Sequence, residues 1–257
     1  MTNDIRSLYD RFERYETAMP GFRREETPLL VRYVPDSAAN NGMVTWSRLS
    51  AENADSAIAA EIAHWRELGR GFEWKLYDYD QPADLIARLE RHGFSIGDGE
   101  AIMALDLERL PPRLREAPGV EIRRISDPAD LAGAVEVQAE VWEKDSSRWM
   151  ARLAQQLRDV PDYVSVYVAY IDGTAVSSAW INFPTGTPFA SLWGGSTRAA
   201  YRGRGAYTAL VAVRAQEAVR RGYRYLTIDA SPMSRPIVTG HGFQLLGMSH
   251  PCEWSPA

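Results

Sequence analysis

The stretch Leu192-Trp-Gly-Gly-Ser-Thr-Arg-Ala-Ala-Tyr-Arg-Gly-Arg-Gly-Ala-Tyr-Thr-Ala-Leu210 constrains the fold more than any other part of the chain. A strand pattern, Phe189 to Ser196, runs into a short loop, and a helix pattern, Gly205 to Arg221, starts at the last glycine. The backbone must therefore turn from strand to helix through Arg202-Gly203-Arg204-Gly205. The first turn of a helix has N–H groups without helical acceptors, and the aligned peptide dipoles add partial positive charge there. Glycines let a ligand approach the backbone with no β-carbon in the way. Arg198, Arg202 and Arg204 add local positive charge to a chain whose net charge is -5. These features together suit a diphosphate. Gly194-Gly195, paired at the strand end, suit a bulge or the close approach of another backbone.

The rest of the chain sets that loop in an α/β context. Residues 4 to 18 are expected to form an amphipathic helix, with Ile5, Leu8, Tyr9 and Phe12 at helical spacing. Strands are expected at Thr27 to Tyr33, Met43 to Leu49, Phe72 to Tyr77 and Glu100 to Leu107. Between them lie a helix from Ala54 to Glu67 and one opened by Pro82 that ends near His92-Gly93-Phe94. Leu110 to Gly119 holds three prolines among charges and is the best linker candidate. Residues 1–110 and 120–257 then form two domains, with 111–119 between them.

In the second segment Val120 to Ile125 is a strand, and Asp127-Pro128 opens a helix to about Trp142. A second helix covers roughly Ser146 to Arg158. Tyr163 to Tyr170 and Thr174 to Phe183 form a hairpin closed by Asp172-Gly173. On the long helix, Leu210, Val211, Ala215, Ala218 and Val219 are expected inside, and Arg214, Glu217, Arg220 and Arg221 outside. Tyr225 to Ala230 is a strand, then comes a short helix, and Phe243 to Met248 is the last strand.

Strand, Asp78, helix, His92-Gly93-Phe94, strand resembles strand, Asp229, helix, His241-Gly242-Phe243, strand, which points to an internal duplication. Composition narrows the function classes. An acidic balance argues against a broad nucleic-acid footprint. The single cysteine, Cys252, excludes an intrachain disulfide framework, and the four histidines lack metal-ligand spacing. No apolar run is long enough to span a membrane, and the polar N-terminus lacks a signal-peptide core, so a soluble cytoplasmic protein is expected.

Three phosphate-binding loops compete for the glycines. A Walker A loop needs Gly-Lys-Ser/Thr, which is absent. A dinucleotide fingerprint needs a third glycine where Thr208 stands, although Asp229 lies at about the distance of a ribose-binding acid. That fingerprint also belongs at a domain's first strand, whereas at least three strands precede this loop. The third pattern, Arg/Gln-x-x-Gly-x-Gly/Ala after a fourth strand, is that of the GNAT acetyltransferase superfamily. Residues 120–257 resemble that family in their order of elements, and Arg202 to Gly205 match its first four motif positions. Tyr207 stands where the family has Gly or Ala, so its side chain must point away from the diphosphate.

The resemblance implies two mixed-sheet domains in tandem with helices on both faces, and acetyl-CoA as cosubstrate. It implies that the backbone of Gly195, Ser196 and Thr197 pairs with the pantetheine arm. It likewise implies that Arg202, Gly203, Arg204, Gly205, Ala206, Tyr207 and Thr208 hold the pyrophosphate. The acceptor would be a primary amine of a small molecule or peptide.

Such a reaction needs a base for the amine and benefits from an acid for the leaving thiolate. The family's tyrosine acid falls on Val238 here. Tyr207, Ser231 or Ser234 could substitute, and His241 is expected to cap its helix. Glu136, Glu140, Glu143 and Asp145 are the candidate bases, the three glutamates sharing one helix face. Trp142, Trp149, Trp180 and Trp193 could line an acceptor pocket or fill the core. In the first half the counterpart loop, Leu49 to Ser56, has no glycine and carries Glu52 and Asp55, which would repel a diphosphate. A non-catalytic acyl-CoA sensor and a dinucleotide-binding protein remain the alternatives.

Overall fold

The computed structural model describes residues 2–38, 40–116, 119–142 and 147–256. In chain order the elements are α1 (Thr2–Tyr9), a π-helical turn (Asp10–Tyr15), β1 (Phe22–Glu26), β2 (Leu30–Pro35), β3 (Gly42–Ser47), α2 (Ala54–Glu67), β4 (Phe72–Tyr77), α3 (Leu85–Arg91), β5 (Ser95–Ile96) and β6 (Glu100–Asp106). A short 3-10 turn (Leu107–Arg109) leads to α4 (Pro112–Arg115) and β7 (Glu121–Ile125). Then follow a second 3-10 turn (Pro128–Leu131), α5 (Ala132–Trp142), α6 (Ser147–Asp159), β8 (Val164–Ile171), β9 (Thr174–Asn182) and β10 (Phe189–Thr197). A third 3-10 turn (Ala199–Tyr201), α7 (Ala206–Arg220), β11 (Tyr225–Ala230), α8 (Arg235–Gly240) and β12 (Gln244–Trp254) complete the chain.

The chain divides into two compact units. Unit 1 comprises Met1–Met103, Ala230–Arg235 and Leu245–Ala257, and unit 2 comprises Ala104–Asp229 and Pro236–Gln244. Each has a mixed sheet with helices on both faces. In unit 1 the order is β1-β2-β3-β4-β12, with β3 and β4 parallel and β12 antiparallel to β4. Leu30, Val44, Phe72 and Trp74 pack on one face against Ile58, Ile62 and Trp65 of α2. Arg14 reaches Thr45 on the other face. In unit 2 the order is β11-β10-β9-β8-β7, with only β10 and β11 parallel. Val164, Val166 and Val168 face Ala134 and Val137 of α5 and Met150 and Leu153 of α6. Their alternates, Ser165 and Tyr167, face α7, where both donate to Glu217 at 3.0 and 2.6 Å.

The structure departs from the sequence reading at definite places. The first helix is α-helical only to Tyr9 and then widens to a π turn. A strand at Phe22–Glu26 was not expected, because its burial does not alternate cleanly. Thr27 ends it: its hydroxyl accepts from Leu29 N and Leu30 N and turns the chain. Helix α3 begins at Leu85, not Pro82, whose carbonyl accepts from Leu85 N. Within the 111–119 stretch Pro112–Arg115 is helical and Leu114 is buried, as is Leu110 just before it. Each such leucine contributes roughly 1.5–3 kcal/mol of burial, and proline at the first helical turn forfeits no bond.

The largest departure is on α7. Arg214 and Glu217, expected outside, are buried, whereas Val219 is exposed. Polar groups of the sheet meet the two charges, so polarity alone misjudges this face.

The two units repeat one arrangement. In unit 1 the parallel pairing ends at Val44↔Trp74, and Thr45 is then the extra residue of a bulge against β2. In unit 2 it ends at Leu192↔Ile228, and a bulge follows between Trp193 and Ser196. In each, His-Gly-Phe closes a short helix, with Phe94 N bonding Leu89 O and Phe243 N bonding Val238 O. His92 then reaches Asp55 and His241 reaches Thr208, each in the first turn of the helix that follows the bulged strand.

Candidate functional site

Beyond Leu192, β10 leaves β11 and pairs only with β9, as far as Thr197. One edge of the Trp193–Thr197 segment therefore has no strand partner among the described residues. A bulge bends the segment further. Glycine is required at its centre. Gly194 has φ +61°, and a β-carbon there would lie 1.8 Å from the Trp180 ring. A β-carbon on Gly195 would meet the Tyr207 ring at 2.9 Å.

The edge leads straight to the glycine loop. Arg198 N bonds Val176 O, then a 3-10 turn brings the chain to Arg202, whose Nε donates to Thr197 O at 3.3 Å. Gly205 caps α7 with φ +83°, a conformation that costs a non-glycine residue roughly 1–2 kcal/mol. Its missing side chain leaves the first-turn amides of Ala206, Tyr207 and Thr208 to an outside acceptor. Arg202 and Arg204 are exposed, beside this turn in sequence. Of the loop residues expected for a diphosphate, Arg202, Gly203, Arg204 and Gly205 are exposed, Tyr207 and Thr208 are half-buried, and Ala206 is buried.

The α5 face of the bulge carries a buried polar network. Gln138 donates to Ser178 Oγ at 2.9 Å and to Gly194 O at 2.6 Å, and Ser196 Oγ donates to Gln138 Oε1 at 3.2 Å. Trp142 Nε1 donates to Ser196 Oγ at 2.9 Å, yet its ring is half exposed, as is that of Trp193. Gln138 has the clearest role in shaping the edge, and the sequence reading missed it. Its position in a helix otherwise read through its glutamates hid it.

The candidate bases fare unevenly. Glu136 and Glu140 lie on the exposed face of α5 and both pair with Arg198, at 3.4 and 3.2 Å. Glu143 and Asp145 lie outside the described residues. Trp180 packs against the α5–α6 core. Val238, where an acid was sought, is fully buried core. Ser231 falls in unit 1, where its carbonyl accepts from Ser234 N and Arg235 N at the start of α8. His241 does not cap with its side chain: Nε2 meets Thr208 Oγ1 at 3.1 Å, and burial, then Arg113, lowers its pKa. Among the described residues no group of His, Cys, Asp or Glu is arranged to hold a metal ion, and no helix is long and apolar enough to cross a membrane.

In unit 1 the corresponding edge is filled. Arg14 Nε donates to Thr45 O at 3.1 Å, and Thr45 Oγ1 donates to Arg14 O at 2.7 Å. The guanidinium lies 3.8 Å over the Tyr77 ring and is forked onto Asp80 at 2.8 and 2.9 Å. The loop before α2 is bound to itself, with Ser50 N donating to Asn53 Oδ1.

Comparison with known proteins agrees with this geometry. Residues 106–229 match the family model described as an acetyltransferase (GNAT) domain. No curated protein matches the sequence. Among solved structures, a GCN5-related N-acetyltransferase from Kribbella flavida is similar at a TM-score of 0.71 and 16% identity, over 100% of this chain and 96% of that one. A functionally unknown conserved protein from Staphylococcus epidermidis is similar at 0.69 and 11% identity, over 98% and 100%. A tandem GNAT protein from the clavulanic acid biosynthesis pathway is similar at 0.60 and 17% identity, over 100% and 88%. At these identities the likeness establishes the fold, which all three share along nearly the whole chain. Residues 106–229 thus match a GNAT acetyltransferase domain, and the chain as a whole has the fold of these solved structures.

Proposed function

We propose that unit 2 binds acetyl-CoA and transfers its acetyl group to a primary amine of a small molecule or peptide in the cytoplasm. The observation that carries this is the separation of β10 from β11 after Leu192, directly before a glycine-capped helix. In this reading the backbone of Gly195, Ser196 and Thr197 holds the pantetheine arm. The backbone from Arg202 to Thr208 holds the pyrophosphate, with the Arg202 and Arg204 side chains adding charge. Tyr207, whose ring lies against Gly195, is the candidate acid for the departing thiolate. Glu140 is the candidate base, shared with Arg198 until the acceptor arrives. The first hundred residues are a degenerate copy of the same unit and take no cofactor.

A second reading, an acyl-CoA sensor without turnover, is favoured by Val238 in place of an acid and by the Arg198 pairing of Glu140. A dinucleotide site is not favoured, because β10 is flanked by antiparallel β9 rather than set in a parallel sheet. Titration with acetyl-CoA and with NAD, followed by an amine screen for free thiol release, separates the three. Acetyl-CoA binding with thiol release supports transfer. Binding without release on any amine supports the sensor, and binding of NAD alone sinks both.

A further inference from the structure

Arg214 has a role that the cofactor loop does not account for. It stands on α7, is 1% exposed, and has no carboxylate partner among the described residues. Its donors go to backbone: Nε to Leu210 O at 2.8 Å, and Nη1 to Trp180 O at 2.9 Å and Trp193 O at 3.4 Å. Nη2 has no hydrogen-bond partner there.

A guanidinium out of water costs several kcal/mol and persists only where strong acceptors meet it. The acceptors here are those a bulge creates. Pairing with β11 stops at Leu192, and the register with β9 breaks after Trp193, so both ladders that could use the Trp193 carbonyl end at that point. Arg214 takes it instead, together with the facing carbonyl of Trp180. Unit 1 has a counterpart in Arg14, which donates to Thr45 O at its own bulge. There Asp80 and Asp10 balance the charge, whereas in unit 2 no acid among the described residues does.

We propose that Arg214 is a positioning residue that clamps the β10 bulge to α7, fixing the Gly195–Thr197 edge in register with the glycine loop at the start of the same helix. One residue thereby aligns the two halves of the cleft, the strand edge and the helix N-terminus. The inference rests on reading that cleft as the acetyl-CoA site.

The test uses the full chain with Arg214→Met and Arg214→Lys. Amide hydrogen exchange is followed without ligand, and acetyl-CoA affinity by calorimetry. Arg214→Met is expected to speed exchange at residues 195–198 about tenfold, while the last turns of α7 keep their rates, and to weaken acetyl-CoA binding by about tenfold. Lysine keeps the charge but has one nitrogen for three carbonyls, so it should restore part of both. If the methionine variant does not fold, the lysine variant must still show the local increase. Unchanged exchange at 195–198, or equal acceleration throughout unit 2, would overturn the clamp. Failure of the unaltered protein to bind acetyl-CoA would remove the cofactor reading alone, since the exchange measurement needs no ligand.

Discussion

The Tyr207 ring lies against Gly195, so closely that a β-carbon on Gly195 would come within 2.9 Å of it. A large residue at the second position of α7 is thus matched by the absence of one on β10. The pair makes a testable unit. Gly195→Ala should push the ring toward the edge and weaken acetyl-CoA binding by about tenfold, as a displaced cradle forfeits one or two good contacts. Tyr207→Ala alone should change affinity little. The double variant should recover most of the loss, a coupling that calorimetry on all four proteins measures. Additive losses would break the link between the two positions.

The hydroxyl of Tyr207 is a separate matter from its ring. If it protonates the departing thiolate, Tyr207→Phe should keep acetyl-CoA affinity and lower kcat by about a hundredfold, the usual lower range for a positioned acid. A variant with unaltered kcat would show that the thiolate leaves without help from this residue.

Exposed charge at the loop should matter less than its backbone. Arg202 is solvent-exposed, so Arg202→Ala should weaken acetyl-CoA binding only about fivefold, and less at high salt. Glu52→Ala, in the loop of unit 1, should leave the affinity unchanged. Equal effects of the two substitutions would mean that the diphosphate does not lie at residues 202–208.

What could be read in advance follows from where the signals are local. Helix α2 and strands β4 and β11 match their expected bounds, because period and glycine caps are encoded within a few residues. The left-handed turn into α7 was legible too, since glycine at Gly205 answers a φ that other residues resist. The burial of Arg214 and Glu217 was not legible, because it depends on carbonyls and hydroxyls presented by β8, β9 and β10. Nor was Gln138, whose partners lie forty or more residues away. The division of the chain escaped for a similar reason: from Leu245 onward β12 belongs with the first hundred residues, a pairing no local pattern announces.

His241 gives a pH dependence of definite sign. Burial, with Arg113 adding to it, lowers its pKa below the ordinary 6.5. Above that value the ring is neutral in both folded and unfolded chains. Below it the unfolded chain binds a proton that the folded one resists, so stability falls as pH drops toward the folded pKa. Denaturant titrations at pH 7.5 and 5 should show a smaller loss for His241→Gln than for the unaltered protein. His64, lowered chiefly by burial, leaves a residual slope of the same sign. A steeper slope in the glutamine variant would contradict the assignment.

In unit 1 the edge that unit 2 leaves open is occupied by the chain itself. Arg14 and Asp80 have side chains only 3% and 6% exposed, and the guanidinium that holds Thr45 O is held in turn by that carboxylate. Removing one partner leaves a buried charge alone, so Arg14→Met should cost about 3–5 kcal/mol in urea unfolding. Arg14→Met with Asp80→Leu should cost much less, since both charges go together. Neither protein should gain a second site, because the loop before α2 has no glycine to admit a diphosphate. Calorimetry should therefore count one acetyl-CoA per chain in all three, and two in the unaltered protein would show that Arg14 does not close the edge.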